Sequence, residues 1–182
     1  MTDIPIIDHD SLIEEIKKNS VRIIDVRREQ DYQQSHITNS VNLPLAELLN
    51  NDSPENIAKI AGNLGISDDT PVVVYDDTFG ALSSRIVWAL QYIGHVDVKL
   101  LSVTFSQWKE LGLDITTEVP EIEQSTHSIN IQSDIMATAD YLQKVKDNKN
   151  VVIIDNRERL NFLEQHIPGA INIPYRTLAT DG

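Results

Sequence analysis

The 182-residue chain contains no cysteine. Disulfides, thiolate metal sites and thiol nucleophiles are therefore excluded for the chain as written. Basic residues are also scarce: 15 Lys and Arg stand against 28 Asp and Glu, a formal charge of −13. A nucleic-acid footprint needs a clustered excess of Lys and Arg, and docking on an anionic membrane needs a polybasic patch. Neither partner is expected. No run approaches the roughly 18 apolar residues of a transmembrane helix. The opening "MTDIPIIDHDSLIEEIKK" has no basic segment followed by an apolar one, so it carries no secretory pattern. These absences lead to the expectation of a soluble cytoplasmic protein. Gly and Pro are few, at 7 each, and 41% of residues are hydrophobic, which is the composition of a folded chain.

What is present is an internal repeat. "VRIIDVRREQDYQQSHITNSVNLPLAEL" (21–48) aligns without a gap on "VVIIDNRERLNFLEQHIPGAINIPYRTL" (151–178), at a constant offset of 130 residues. Ten of the 28 positions are identical, among them Asp25/Asp155, Arg27/Arg157, His36/His166, Asn42/Asn172, Pro44/Pro174 and Leu48/Leu178. A repeat of this length sets the domain count before any other consideration.

The first copy continues past Leu48. "SPENIAKIAGNLG" (53–65) reads as a helix with Ser53 as N-cap, Pro54 in the first position and Gly65 at the stop. "TPVVVY" (70–75) is an apolar β-branched run, typical of a parallel strand buried on both faces. "ALSSRIVWALQYIG" (81–94) puts Ile86, Leu90 and Ile93 on one helical stripe. "VDVKLL" (96–101) reads as a strand and "SQWKELG" (106–112) as a short helix. Strands alternating with helices predict an α/β domain with a mainly parallel central sheet flanked by helices. The boundaries expected are 1–118 for the first domain, 119–128 for an acidic linker and 129–182 for the start of a second copy. In that copy "SDIMATADYLQKVKDNKN" (133–150) is expected to be an N-capped helix with Ile135, Ala139, Leu142 and Val145 inward. The second copy of the 76-loop would fall near 206 (76 + 130), so a longer parent protein is expected.

The stretch "VVVYDDTFGALSSRIVWAL" (72–90) carries the chemistry. A strand–loop–helix turn is an anion site, because the first N–H groups of the helix lack partners inside it. Here Asp76 and Asp77 stand in its mouth. They read either as an acid/base pair or, the favoured reading, as N-cap and dipole partners. Arg85 either contacts an anion or forms a charge-assisted hydrogen bond with Asp76 or Asp77. Asp25 with Arg27, and Asp155 with Arg157, are substrate ligands or, as favoured, braces at the end of the first strand. His36 and His166 lack a second ligand at metal spacing and read as hydrogen-bonded turn histidines; no metal and no cofactor is expected. "GALSSR" lacks the Gly-x-Ser-x-Gly spacing of a nucleophile elbow. Trp88 and Trp108 read as core or domain-interface aromatics.

The order "IIDVR…HI…SVNLP", "VVVYDD…G…SRIVWAL…GH…V…L", "WKELG" resembles the N-terminal domain of tandem rhodaneses, the thiosulfate sulfurtransferases. "IIDNRERLNFLEQHIPGAINIPY" resembles the start of their C-terminal domain. The resemblance implies two similar α/β domains facing each other, of which only the second is catalytic. Its loop cysteine becomes a persulfide and passes sulfur from a small anionic donor, thiosulfate, to cyanide or another thiophilic acceptor. Asp76 then stands at the nucleophile position of a silent loop, and the cysteine is expected beyond residue 182. Asn161 occupies the position where the family usually has a substrate-binding arginine, and "SVT" (102–104) stands where an Asp-Gly-Gly is common. The 182-residue chain is accordingly expected to be inactive, with a regulatory or scaffolding rhodanese-homology module as the alternative. A phosphatase of related fold is a weaker third reading, since it too needs a loop cysteine. Contact between the two domains is expected, and homo-oligomerisation is left open.

Overall fold

The computed structural model describes residues 5–177. Leu178, the last position of the repeat, and the "LATDG" segment lie outside the described residues. The chain divides into two compact units, Met1–Ile135 and Met136–Gly182.

The first unit runs β1 (Ile6–Ile7), α1 (His9–Lys18), β2 (Arg22–Asp25), α2 (Glu29–Gln34), β3 (His36–Ile37), β4 (Ser40–Asn42) and α3 (Leu45–Leu49). It continues with α4 (Pro54–Asn63), β5 (Val72–Tyr75), α5 (Ser83–Tyr92), β6 (Val98–Leu101), α6 (Phe105–Glu110) and β7 (Ile115–Thr116). Five strands form a parallel sheet in the order β1-β6-β5-β2-β4, and β3 pairs antiparallel with β7. This is the α/β architecture with a mainly parallel central sheet. In β5, Val72 and Val74 face one apolar cluster with Ile24, Ile57, Ile86 and Leu90, while Val73 and Tyr75 face another with Leu12, Ile23, Phe105 and Trp108. The period of two in a strand therefore feeds both faces at once, which is why β5 has no polar residue to spend on solvent. Burying each such side chain is worth about 1.5–3 kcal/mol.

Local signals set the ends. Ser53 accepts from the Asn56 N–H with Pro54 at the first helical position, and Gly65 leaves α4 at φ +70°. Thr104 and Gln107 close a capping box on α6.

The second unit holds α7 (Ala139–Val145), the parallel pair β8 (Ile154–Asp155) and β9 (Ile171–Asn172), and between them α8 (Arg159–Glu164). Two expectations are corrected. The helix expected over 133–150 starts only at Ala139, capped by Thr138, and 133–135 forms a separate 3-10 turn. The stretch 151–155, which the repeat aligns with 21–25, is paired only at Ile154–Asp155, since β9 is its one neighbour among the described residues, whereas β2 has β4 and β5 on its two sides. The segment read as a linker, 119–128, belongs to the first unit and lies against it: the Ser125 N–H donates to the Gly62 carbonyl at 2.9 Å, and Ile122 packs on the core. No helix among the described residues is long and apolar enough to cross a membrane.

Candidate functional site

The loop from Asp76 to Leu82 joins the C-terminal end of β5 to α5. Phe79 at φ +54° and Gly80 at φ +86° turn the backbone so that successive N–H groups point inward. They converge on one carboxylate. Asp76 Oδ1 accepts from the N–H groups of Thr78 (2.9 Å) and Gly80 (3.0 Å). Asp76 Oδ2 accepts from the N–H groups of Leu82 and Ser83 (both 2.9 Å) and from the hydroxyls of Thr78 (2.9 Å) and Ser83 (3.1 Å). The side chain is 3% exposed. Burial pushes its pKa up, but the N–H groups of Ser83, Gly80 and Thr78 overcome it and hold the carboxyl below its ordinary value. Asp76 is therefore an anion at neutral pH, seated where an external anion would bind.

Asp77 points the other way. Its carboxylate accepts from the Ser106 N–H at 2.8 Å and the Ser106 hydroxyl at 2.7 Å, at the start of α6. Neither carboxylate has a His or Lys partner among the described residues, which is the arrangement of a satisfied turn and not of an acid/base pair. The expected Arg85 hydrogen bond is corrected: no bond joins it to Asp76 or Asp77 among the described residues. Its guanidinium lies over the Trp88 ring, 4.4 Å from the centroid. The carboxylates already have N–H and hydroxyl donors, and Trp88 sits three residues along the same helix face.

The repeated Asp-x-Arg is one motif built twice. Arg27 reaches Asp25 through Nε (3.0 and 3.1 Å) and Nη2 (2.6 Å), and its Nη2 also donates to the Ser35 carbonyl at 2.7 Å. Arg157 reaches Asp155 at 3.0, 3.1 and 2.6 Å and the Gln165 carbonyl at 2.6 Å. Asn42 and Asn172 each donate to the carbonyls of their own Asp and Arg. Both arginines are thus tied into the chain that follows the strand. Burial lowers the Arg27 pKa, but the Asp25 carboxylate outweighs it and the guanidinium stays charged. His36 stacks on Tyr32, with Nδ1 and Nε2 2.8 and 3.1 Å from the carbonyls of Tyr32 and Glu118. His166 stacks on Phe162 in the same way. No group of three His, Asp or Glu suited to a metal occurs among the described residues. Asn161 is exposed on α8, and its backbone carbonyl accepts from the Gln165 N–H. Trp108 is buried; the Trp88 indole donates to the Ile135 carbonyl at 3.2 Å.

One contributor was invisible in the sequence. The Tyr75 hydroxyl donates to Asp25 Oδ2 at 2.5 Å, accepts from the Ile37 N–H and lies 3.2 Å from Ser40 Oγ. It links the end of β5 to the Asp25–Arg27 brace. The matching positions in the second unit, Asp155, Ile167 and Ala170, line an open cavity of about 610 Å³. The signal was the aromatic closing an otherwise aliphatic run.

The family model described as "Rhodanese-like domain" matches residues 8–111 and 138–181. The chain is 28% identical over 171 residues to thiosulfate sulfurtransferase of Gallus gallus, covering 84% of the chain and 59% of that protein. It is 32% identical over 143 residues to the sulfur carrier protein TtuD of Thermus thermophilus, covering 68% and 50%. It thus spans between half and three-fifths of the length of these relatives. The crystal structure of SseA from Escherichia coli, described among 3-mercaptopyruvate sulfotransferases, superposes with a TM-score of 0.88 at 23% identity, over 98% of the chain and 78% of the other.

Proposed function

Because the chain belongs to the rhodanese-like domain family, we propose that it is the silent first domain and the opening part of the second domain of a sulfurtransferase. The observation that carries this reading is the Asp76 carboxylate, which takes four N–H groups and two hydroxyls of the loop. A thiolate at such a helix start would be stabilised by the same donors and would be nucleophilic at neutral pH. It would attack the outer sulfur of thiosulfate, break the S–S bond and expel sulfite. Cyanide or another thiophile would then take that sulfur from the persulfide and return the thiolate. A carboxylate forms no persulfide, so the first loop has the cradle without the reaction. The cysteine belongs at the matching loop of the second copy, near position 206, in a longer protein. The 59% share of the chicken relative's length supports this. A cytoplasmic compartment and a small anionic sulfur donor are parts of the same proposal.

Two measurements test it. The 182-residue chain, incubated with thiosulfate and cyanide, is expected to form no thiocyanate above the buffer control; cyanide-dependent product would overturn the silent-loop reading. The coding sequence past codon 182 is expected to place a cysteine after a second apolar strand. A loop without one would leave the regulatory or scaffolding module, which a fully satisfied Asp76 also suits.

A further inference from the structure

The segment 119–135 is held on the first unit by backbone groups, by Ile122 on the core, by Ser128 on Asp68 and by one unusual side-chain pair. The N–H groups of Ser125, Asn130 and Gln132 donate to the carbonyls of Gly62 (2.9 Å), Ile93 (2.8 Å) and Tyr92 (2.9 Å). Three glycines make the room. A Cβ on Gly62 would lie 2.5 Å from the Ser125 oxygen, one on Gly65 2.8 Å from the Glu123 oxygen, and one on Gly94 2.7 Å from the Asn130 oxygen. The backbone is therefore docked too closely for any larger residue at those places.

At the centre of this contact His95, in the turn after α5, meets His127 of the segment. His95 Nδ1 is 3.0 Å from His127 Nε2, and His127 Nδ1 is 2.6 Å from the Ser128 carbonyl. Both rings are closed off: His95 is 2% exposed and the His127 side chain 1%. The carbonyl can only accept, so His127 carries its proton on Nδ1. Its Nε2 is then an acceptor, and His95 must donate from Nδ1. One lone pair is left over, on His95 Nε2, which is buried without a hydrogen-bond partner among the described residues. The groups facing the pair are Asp97, the backbone at Thr70 and Asp97, and Asp68. Asp68 lies 3.6 Å from His127 Nδ1, but its oxygens are taken by the Ser128 N–H (2.8 Å) and hydroxyl (2.7 Å), and it is half exposed, so water screens its pull.

We propose that residues 119–135 are an acid-released latch, closed while His95, bonded to His127, is neutral and opened by protonation of His95. In the closed state a proton on His95 Nε2 creates a buried cation. Opening the segment uncovers His95 to water and relieves this. Burial first, and His127 beside it, hold the His95 pKa below its ordinary value against the pull of Thr70 and Asp97. A depressed histidine stabilises the closed state above its ordinary value of about 6.5 and loses that contribution as pH falls below it. Asp68, held low by the Ser128 hydroxyl and N–H, stays ionised throughout this window.

Hydrogen exchange of the full chain, with intrinsic rates corrected, tests this at pH 7.5 and 5.5. Peptides covering Ser125–Gln132 are expected to lose about three- to tenfold of their protection at the lower pH, tenfold being the ceiling for one proton on a histidine with an ordinary value of about 6.5 when opened. Peptides covering β5 are expected to keep theirs. In His95→Gln the pH response of the segment disappears, whatever level its protection takes. Unchanged protection in the parent chain, loss in step with β5, or a persisting response in His95→Gln would each overturn the latch.

Discussion

Replacing Asp76 with Asn leaves the shape of the side chain and removes its charge. Whichever way the amide turns, its NH2 group faces two backbone N–H donors. In the Oδ1 place these are Thr78 and Gly80, and in the Oδ2 place Leu82 and Ser83. The hydroxyls of Thr78 and Ser83 can rotate, but the N–H groups cannot. Two buried donors left unpaired cost about 1–3 kcal/mol each, and the surviving bonds drop from charge-assisted to neutral strength. The sum is about 3–5 kcal/mol, a large part of a domain's whole stability. Urea unfolding followed by tryptophan fluorescence reads this change, because Trp88 and Trp108 both lie in the first unit. With a slope of about 2 kcal/mol/M, the midpoint should fall by roughly 1.5–2.5 M at unchanged slope. A shift under about 0.5 M would refute the cradle as a source of stability. The pH dependence supplies a second reading. The carboxyl is held below its ordinary value, so its stabilisation is present above about pH 4 and is lost as pH falls further. Asp76→Asn should lack that acid limb.

Other outcomes follow from the same contacts. Tyr75→Phe leaves the Ile37 N–H buried without its acceptor and takes one donor from Asp25, which should cost about 2–3 kcal/mol in the same urea experiment; a cost below about 1 would contradict the link. Burial, with Asp25 nearby, pushes the Tyr32 pKa up to about 12, and burial holds Tyr75 well above its ordinary value. Their stabilisation is present below about pH 10 and is lost as pH climbs through their raised values. An absorbance titration at pH 11 should therefore find these two of the five tyrosines protonated while far-ultraviolet dichroism is intact. Ionisation of all five with the fold retained would contradict the burial.

Much of the fold was legible because single residues announce it. Ser53 with Pro54 and the aliphatic run before Tyr75 each speak for a local preference that tertiary packing reinforces. The Asp25–Arg27 brace was legible for another reason: its bonds span two and eight residues, and the repeat prints it twice. What escaped reading joins distant positions. Asp77 meets Ser106 across 29 residues, His95 meets His127 across 32, and Tyr75 meets Asp25 across 50. The docked segment 119–128 escaped because it binds through backbone groups, which every sequence has. Gly62, Gly65 and Gly94 were its trace, but Gly65 already had an explanation as a helix stop. The stacking of Arg85 on Trp88 could have been found from their spacing alone.

The cradle around Asp76 also has a consequence for durability. Oxidants that consume a loop thiol find none here, since the group at the heart of the turn is a carboxylate. Small anions meet N–H groups already taken by a ligand that cannot diffuse away. The Asp76 loop is thereby a fixed wall where a loop built around a thiolate would be open to oxidation.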